Sequence, residues 1–61
     1  MKIEHNGILC KIIAIVAHKD GVHQVEIFDG EIRRVILARK EQMIEDYDGE
    51  LRDWMNSHPE S

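Results

Sequence analysis

The first forty residues run as apolar, β-branched stretches punctuated by three dipeptides: Asn6-Gly7, Asp20-Gly21 and Asp29-Gly30. Asn-Gly and Asp-Gly favour two-residue hairpin turns, because both central residues of a type I′ turn take positive φ. The three turns predict a four-stranded antiparallel meander with strands over about 1–5, 8–19, 22–28 and 31–38. Two-residue turns also set register. Ile3 then faces Cys10 and Met1 faces Ile12, Val16 faces Val25 and Ala14 faces Ile27, and Ile27 faces Ile32 and Val25 faces Arg34. Successive side chains alternate between faces. One face therefore collects Met1, Ile3, Ile8, Cys10, Ile12, Ala14, Val16, Val25, Ile27, Ile32 and Ile36, with Arg34 as its misfit.

The opposite face carries Lys2, Glu4, Lys11, Gln24, Glu26, Glu31 and Arg33, with Glu26 facing Arg33 as a cross-strand ion pair. It also holds Leu9 and Ala17, and it is more apolar than a face meant only for water. Ile13, Ile15, Val22, Phe28, Val35 and Leu37 form a candidate partner-binding patch on this side. A homodimer is the simplest use of such a patch.

Near Lys40 the apolar period changes. Met43, Tyr47, Leu51, Trp54 and Met55 recur at helical spacing, within one arc of about 120° on a helical wheel. This predicts a C-terminal helix over about 40–57, laid as a lid on the apolar sheet face, with a short tail 58–61 containing Pro59. Gly49 weakens that helix by about 1 kcal/mol relative to alanine. If the helix breaks there, Asp48 is placed to cap a second, shorter one. The predicted architecture is α+β: one domain over 1–61, a four-stranded antiparallel sheet with one C-terminal helix across one face.

Composition narrows the setting. The chain has 61 residues and a single cysteine, so no intramolecular disulfide is available. A chain this short buries only roughly 60% of its unfolded surface. No apolar run is long enough to span a bilayer, and the first residues lack a signal-peptide core. A reduced, cytoplasmic setting in a bacterial host cell is expected, away from membranes. Residues 1–40 hold seven Lys/Arg against five Asp/Glu, whereas 41–57 hold six acids against Arg52 alone. A net charge of −4 disfavours direct nucleic-acid binding through a general basic field.

Candidate chemistry is sparse. In a calcium loop opening at Asp46, Gly49 falls fourth where the EF-hand needs its glycine sixth, and the twelfth residue is Ser57 instead of glutamate. The second turn sets His18 opposite His23, but two ligands do not make a structural zinc site, which takes four. Cys10 sits mid-strand on the predicted core face, where cysteine behaves as a small hydrophobe. No nucleophile has a base and an orienting group at identifiable spacing, and no glycine-rich loop opens a helix. The sequence therefore predicts a non-enzymatic protein with no cofactor and no metal. Its acids, Glu41, Glu45, Asp46, Asp48, Glu50 and Asp53, are expected to form an outward array able to occupy a basic groove.

On those acids, and on its size and layout, the chain resembles the small phage- and mobile-element-encoded inhibitors of the anti-CRISPR kind. The resemblance implies a DNA-mimicking inhibitor, monomeric or dimeric. Its partner would be a CRISPR effector complex, above all a multi-subunit type I complex, whose basic DNA-binding channel it blocks. The order of sheet then helix is also similar to HicB-type antitoxins, although the β-α-β opening of that group is not matched. That second likeness implies toxin neutralisation through the apolar sheet face.

Overall fold

A computed structural model describes residues 1–60. The chain is α+β, with an antiparallel sheet and one C-terminal helix; the sheet has five strands where four are expected. The elements are β1 (Lys2–His5), β2 (Ile8–Lys19), β3 (Val22–Phe28), β4 (Arg33–Arg39), a 3-10 turn (Lys40–Gln42), β5 (Met43–Ile44) and α1 (Glu50–Ser57). Strand order across the sheet is β4-β3-β2-β1-β5.

The first two turns form as the dipeptides predict. Asn6 and Gly7 have φ of 53° and 78°, and Asp20 and Gly21 have 55° and 77°, the paired positive values of a type I′ turn. Ile3 faces Cys10, and His18 faces His23. The third turn is different. Only Gly30 is in the positive region there. The Asp29 carboxylate accepts hydrogen bonds from the backbone N–H of Glu31 (2.9 Å) and Ile32 (3.0 Å), which opens the connection to four residues. The strand slides by two positions as a result: Phe28 faces Arg33, Ile27 faces Arg34 and Val25 faces Ile36. Ile32, expected in the core, leaves the sheet and is exposed. Glu26 faces Val35, so the Glu26–Arg33 pair does not form. Arg34 stays on the inner side at its rim and reaches back to Asp29 at 3.8 Å.

β2 departs from simple alternation. Two bulges, at Ile13 and Val16, each insert one residue opposite β3. Ile12 then faces Ile27, Ile15 faces Val25 and His18 faces His23, so from Ile12 onward every third residue of β2 turns inward. This corrects the predicted Val16–Val25 and Ala14–Ile27 pairs: Val16 and Ala14 are exposed, and Ile15 packs partly against the core. Bulges increase local twist and bend the strand that carries them, which lets a twelve-residue strand curl around a small core.

The long helix over 40–57 is also replaced. Met43 pairs with Ile3 as a fifth strand, and α1 begins only at Glu50. Gly49, at φ 90°, is the residue before the helix, a conformation that a side chain disfavours. Asp48 is not the cap. Instead, the Glu45 carboxylate reaches forward to accept from the N–H of Gly49 (3.0 Å) and of Leu51 (2.9 Å), meeting donors that a helix start leaves open. The core is Ile3, Cys10, Ile12, Val25, Ile27, Ala38, Met43 and Leu51, with Met1, Ile15, Ile36 and Met55 packed around it. Tyr47, expected in the lid stripe, is exposed. The molecule measures 31 × 23 × 16 Å, and the thin dimension is that of a sheet covered on one side only.

Candidate interaction surface

The uncovered side of the sheet is assembled row by row from the strand register. One row runs Arg33, Phe28, Lys11, Lys2 and Ile44 across all five strands. A second joins Arg39, Val22 and Lys19 at the far end. Between them lie Val35, Glu26 and Ala14, then Leu37, Gln24 and Ala17, with the bulged Ile13 and Val16 alongside. The arrangement is an apolar band bracketed by cationic rows. Leu9, Ile13, Val16, Phe28, Val35 and Leu37 are between 38% and 68% exposed. Among the described residues, Lys2, Lys11, Lys19, Arg33 and Arg39 make no ion pair.

Two shallow concavities mark this side. One is lined by Lys11, Ile13, Phe28 and Arg33; the other includes Ala17, Lys19, Val22, Gln24 and Leu37, with His18 at its edge. Of the six patch residues singled out in the sequence, Ile13, Val22, Phe28, Val35 and Leu37 share this surface, while Ile15 turns inward through the bulges. Leu9 and Val16 join it. Leu9 was legible from alternation alone; Val16 was not, because its place depends on a bulge.

The acids do not form one array. Glu45 is committed to the start of α1. Asp46 and Glu50 hold the Met1 ammonium at 2.7 and 3.3 Å, and Glu50 also accepts from the Asp46 N–H. Burial of the Met1 ammonium works to lower its pKa, but its hydrogen bonds to Asp46 and Glu50, aided by their charges, raise it above 8.0. The same contact lowers the Asp46 carboxyl below its ordinary value. Asp53 is exposed beside Arg52 at 3.9 Å, and Glu41 and Asp48 are exposed.

The two other candidates resolve differently. Cys10 is buried, with its thiol directed to the Ile8 carbonyl. His23, at the end of the second hairpin, is 1% exposed, and among the described residues neither ring nitrogen has a hydrogen-bond partner. His18 stacks on it, with centroids 5.5 Å apart and planes 11° from parallel. Among the described residues no three His, Cys, Asp or Glu side chains gather into a metal-binding group. Among the described residues no helix is long and apolar enough to cross a membrane. No family model, curated protein or solved structure matches the chain.

Proposed function

We propose that this chain is a non-catalytic protein-binding module, and that it docks through the uncovered sheet face onto a partner surface with apolar side chains at its centre and carboxylates at its rim. The observation that carries this reading is the pairing of a contiguous apolar band with cations that make no ion pair among the described residues. Charge complementarity selects the partner. A second copy presented face to face would set Arg33, Lys11 and Arg39 against themselves, whereas an acidic rim neutralises them. Fully burying an aliphatic or aromatic side chain contributes about 1.5–3 kcal/mol, so covering the remaining exposure of the six apolar residues gives about 5–10 kcal/mol gross. Association costs ~4–15 kcal/mol, so the cations have to contribute for the complex to be tight.

A second reading is favoured by the exposure of Glu41, Asp48 and Asp53. In it, the acidic 41–53 segment mimics nucleic-acid phosphates and blocks a basic channel, as inhibitors of the anti-CRISPR kind do. One experiment separates the two. The partner captured from a cell lysate by the wild-type chain is identified, and its affinity is then measured for Phe28→Glu, Arg33→Glu and the double variant Asp48→Lys/Asp53→Lys. Sheet-face docking expects Phe28→Glu to abolish binding, Arg33→Glu to weaken it and the double variant to bind normally. Loss of binding in the double variant alone would refute the sheet-face reading in favour of charge mimicry. Self-association that strengthens with salt would refute an acidic partner in favour of a homodimer.

A further inference from the structure

The end of the β2–β3 hairpin and the C-terminal segment are tied together by a ladder of rings. His23 is stacked on His18; His18 meets Trp54 edge-on with centroids 5.2 Å apart; Trp54 stacks on His58 at 4.3 Å and 9°. Two polar clamps reinforce it. His18 Nε2 donates to the His58 carbonyl at 2.6 Å, and the Asp20 N–H donates to the Glu60 carboxylate at 2.9 Å. At the inner end of this ladder lies a buried imidazole whose two nitrogens are both without a hydrogen-bond partner among the described residues. An unsatisfied buried polar group is costly, and a buried charge without a counter-ion is far more so.

We propose that His23 is an acid-operated latch: on taking up a proton it drives α1 and the His58 segment off the end of the hairpin, uncovering the inner sheet face. Burial and the neighbouring imidazole favour this direction, and only the main chain at Ala38 opposes it. From β2 it meets His18, a second imidazole. From β4 it meets Ala38, which carries no charge, while the neighbouring Arg39 pairs with Val22 on the other face. From the C-terminal segment the ladder presents Trp54 and then His58. Among the described residues no carboxylate pairs with His23. Burial first, and His18 second, hold its pKa below the ordinary 6.5, with the main chain at Ala38 acting weakly the other way. An imidazole neutral in the closed form and protonated in the open one stabilises closure fully above pH 6.5. That stabilisation is lost as the pH falls towards the closed-form value. Within this window each pH unit lowers the closed-to-open ratio by up to tenfold. The segment released is also one that does not persist alone, since a helix of eight residues is marginal in water without its packing.

Trp54 is the single tryptophan, so its emission reports the ladder directly. The wild-type chain is titrated from pH 8 to pH 4.5 while Trp54 emission and amide protection of β1 to β4 are followed together. The latch expects Trp54 to become exposed between pH 6.5 and 4.5 with the strand amides still protected. His23→Phe, which keeps a ring but removes both nitrogens, is expected to hold Trp54 in place through the same window. NMR titration of the wild-type imidazoles is a test that does not depend on the variant folding. It expects the His23 signal to titrate only together with Trp54 release. A His23 that titrates near 6.5 with α1 undisturbed would overturn the latch. So would a His23→Phe chain that opens at the wild-type pH, or a transition in which strands and Trp54 are lost together.

Discussion

Glu45→Ala tests whether the acid in segment 41–53 that reaches furthest into the fold is a scaffold element or a binding residue. The wild-type carboxylate accepts from the N–H of Gly49 at 3.0 Å and of Leu51 at 2.9 Å. Leu51 is fully buried, and Gly49 carries no side chain to cap the helix itself. Truncation removes both acceptors together. Loss of one capping side chain costs about 0.5–2 kcal/mol, and a part-buried donor left unmatched costs ~1–3 kcal/mol. Water can reach this partly exposed site, so the lower halves of those ranges apply and the sum is about 1–3 kcal/mol. Stability per residue of ~0.05–0.15 kcal/mol puts the whole chain near 3–9 kcal/mol, so this is a large share. In a domain of this size 1 kcal/mol moves Tm by about 4–8 °C, and the expected drop is roughly 5–20 °C. Urea unfolding followed by Trp54 emission and by circular dichroism measures it. Asp48→Asn, which also removes one negative charge but has no such contact, is the control. If Glu45→Ala and Asp48→Asn unfold within about 0.3 kcal/mol of each other, Glu45 does not hold the helix start and the reasoning fails.

The remaining predictions concern other parts of the fold. Leu51→Ala, at the centre of the lid, should cost about 2–5 kcal/mol and leave a barely folded or molten chain by dye binding and NMR dispersion; a loss under 1 kcal/mol would mean the lid is loosely seated. Gly21→Ala meets no atom within 4 Å, so its cost is the positive φ of 77° alone, about 1–2 kcal/mol in equilibrium unfolding; a neutral result would mean the hairpin relaxes to another turn. The Met1 ammonium is held protonated by Asp46 and Glu50, so its contribution is full below pH 8 and declines as pH rises through the raised value. Thermal melts from pH 7 to pH 10.5 should show that decline, smaller in Asp46→Asn; identical profiles in the two chains would exclude the contact.

The parts of the fold that were legible in the sequence were those carried by backbone chemistry of single residues. Asn6-Gly7 and Asp20-Gly21 demanded positive φ, and the hairpins followed with correct register beside each turn. Asp29-Gly30 reads the same but behaves otherwise, because its aspartate spends its carboxylate on the two following N–H groups instead of entering positive φ itself. In β2 the run Ile12-Ile13-Ala14-Ile15-Val16-Ala17 is a doubled triplet, and the inward residues Ile12, Ile15 and His18 keep that three-residue step. A reading fixed on alternation passes over it, and so puts Ile15 on the wrong face. The C-terminal half misled because apolar spacing there fits a helix, while tertiary pairing of Met43 with Ile3 outweighs local propensity and draws it into the sheet. The surface patch was recognisable because four of its residues sit beyond the reach of either bulge. The buried, unpaired state of His23 was not, since it depends on what packs against it.

The strand order also dictates a sequence of events in time. β1 to β4 are joined by short turns, so each hairpin closes over a few residues and on the order of microseconds. The pairing of Ile3 with Met43 is of another kind, because it must bring together positions about two thirds of the chain apart. Its loop-closure cost is met only when Leu51 and Met55 arrive to cover the sheet. The meander is therefore expected to assemble first and wait with its inner face bare. Closure by residues 43–55 is the committing step. In a refolding experiment, Trp54 would lag behind strand formation, and Leu51→Ala would accelerate unfolding with little effect on the early hairpins.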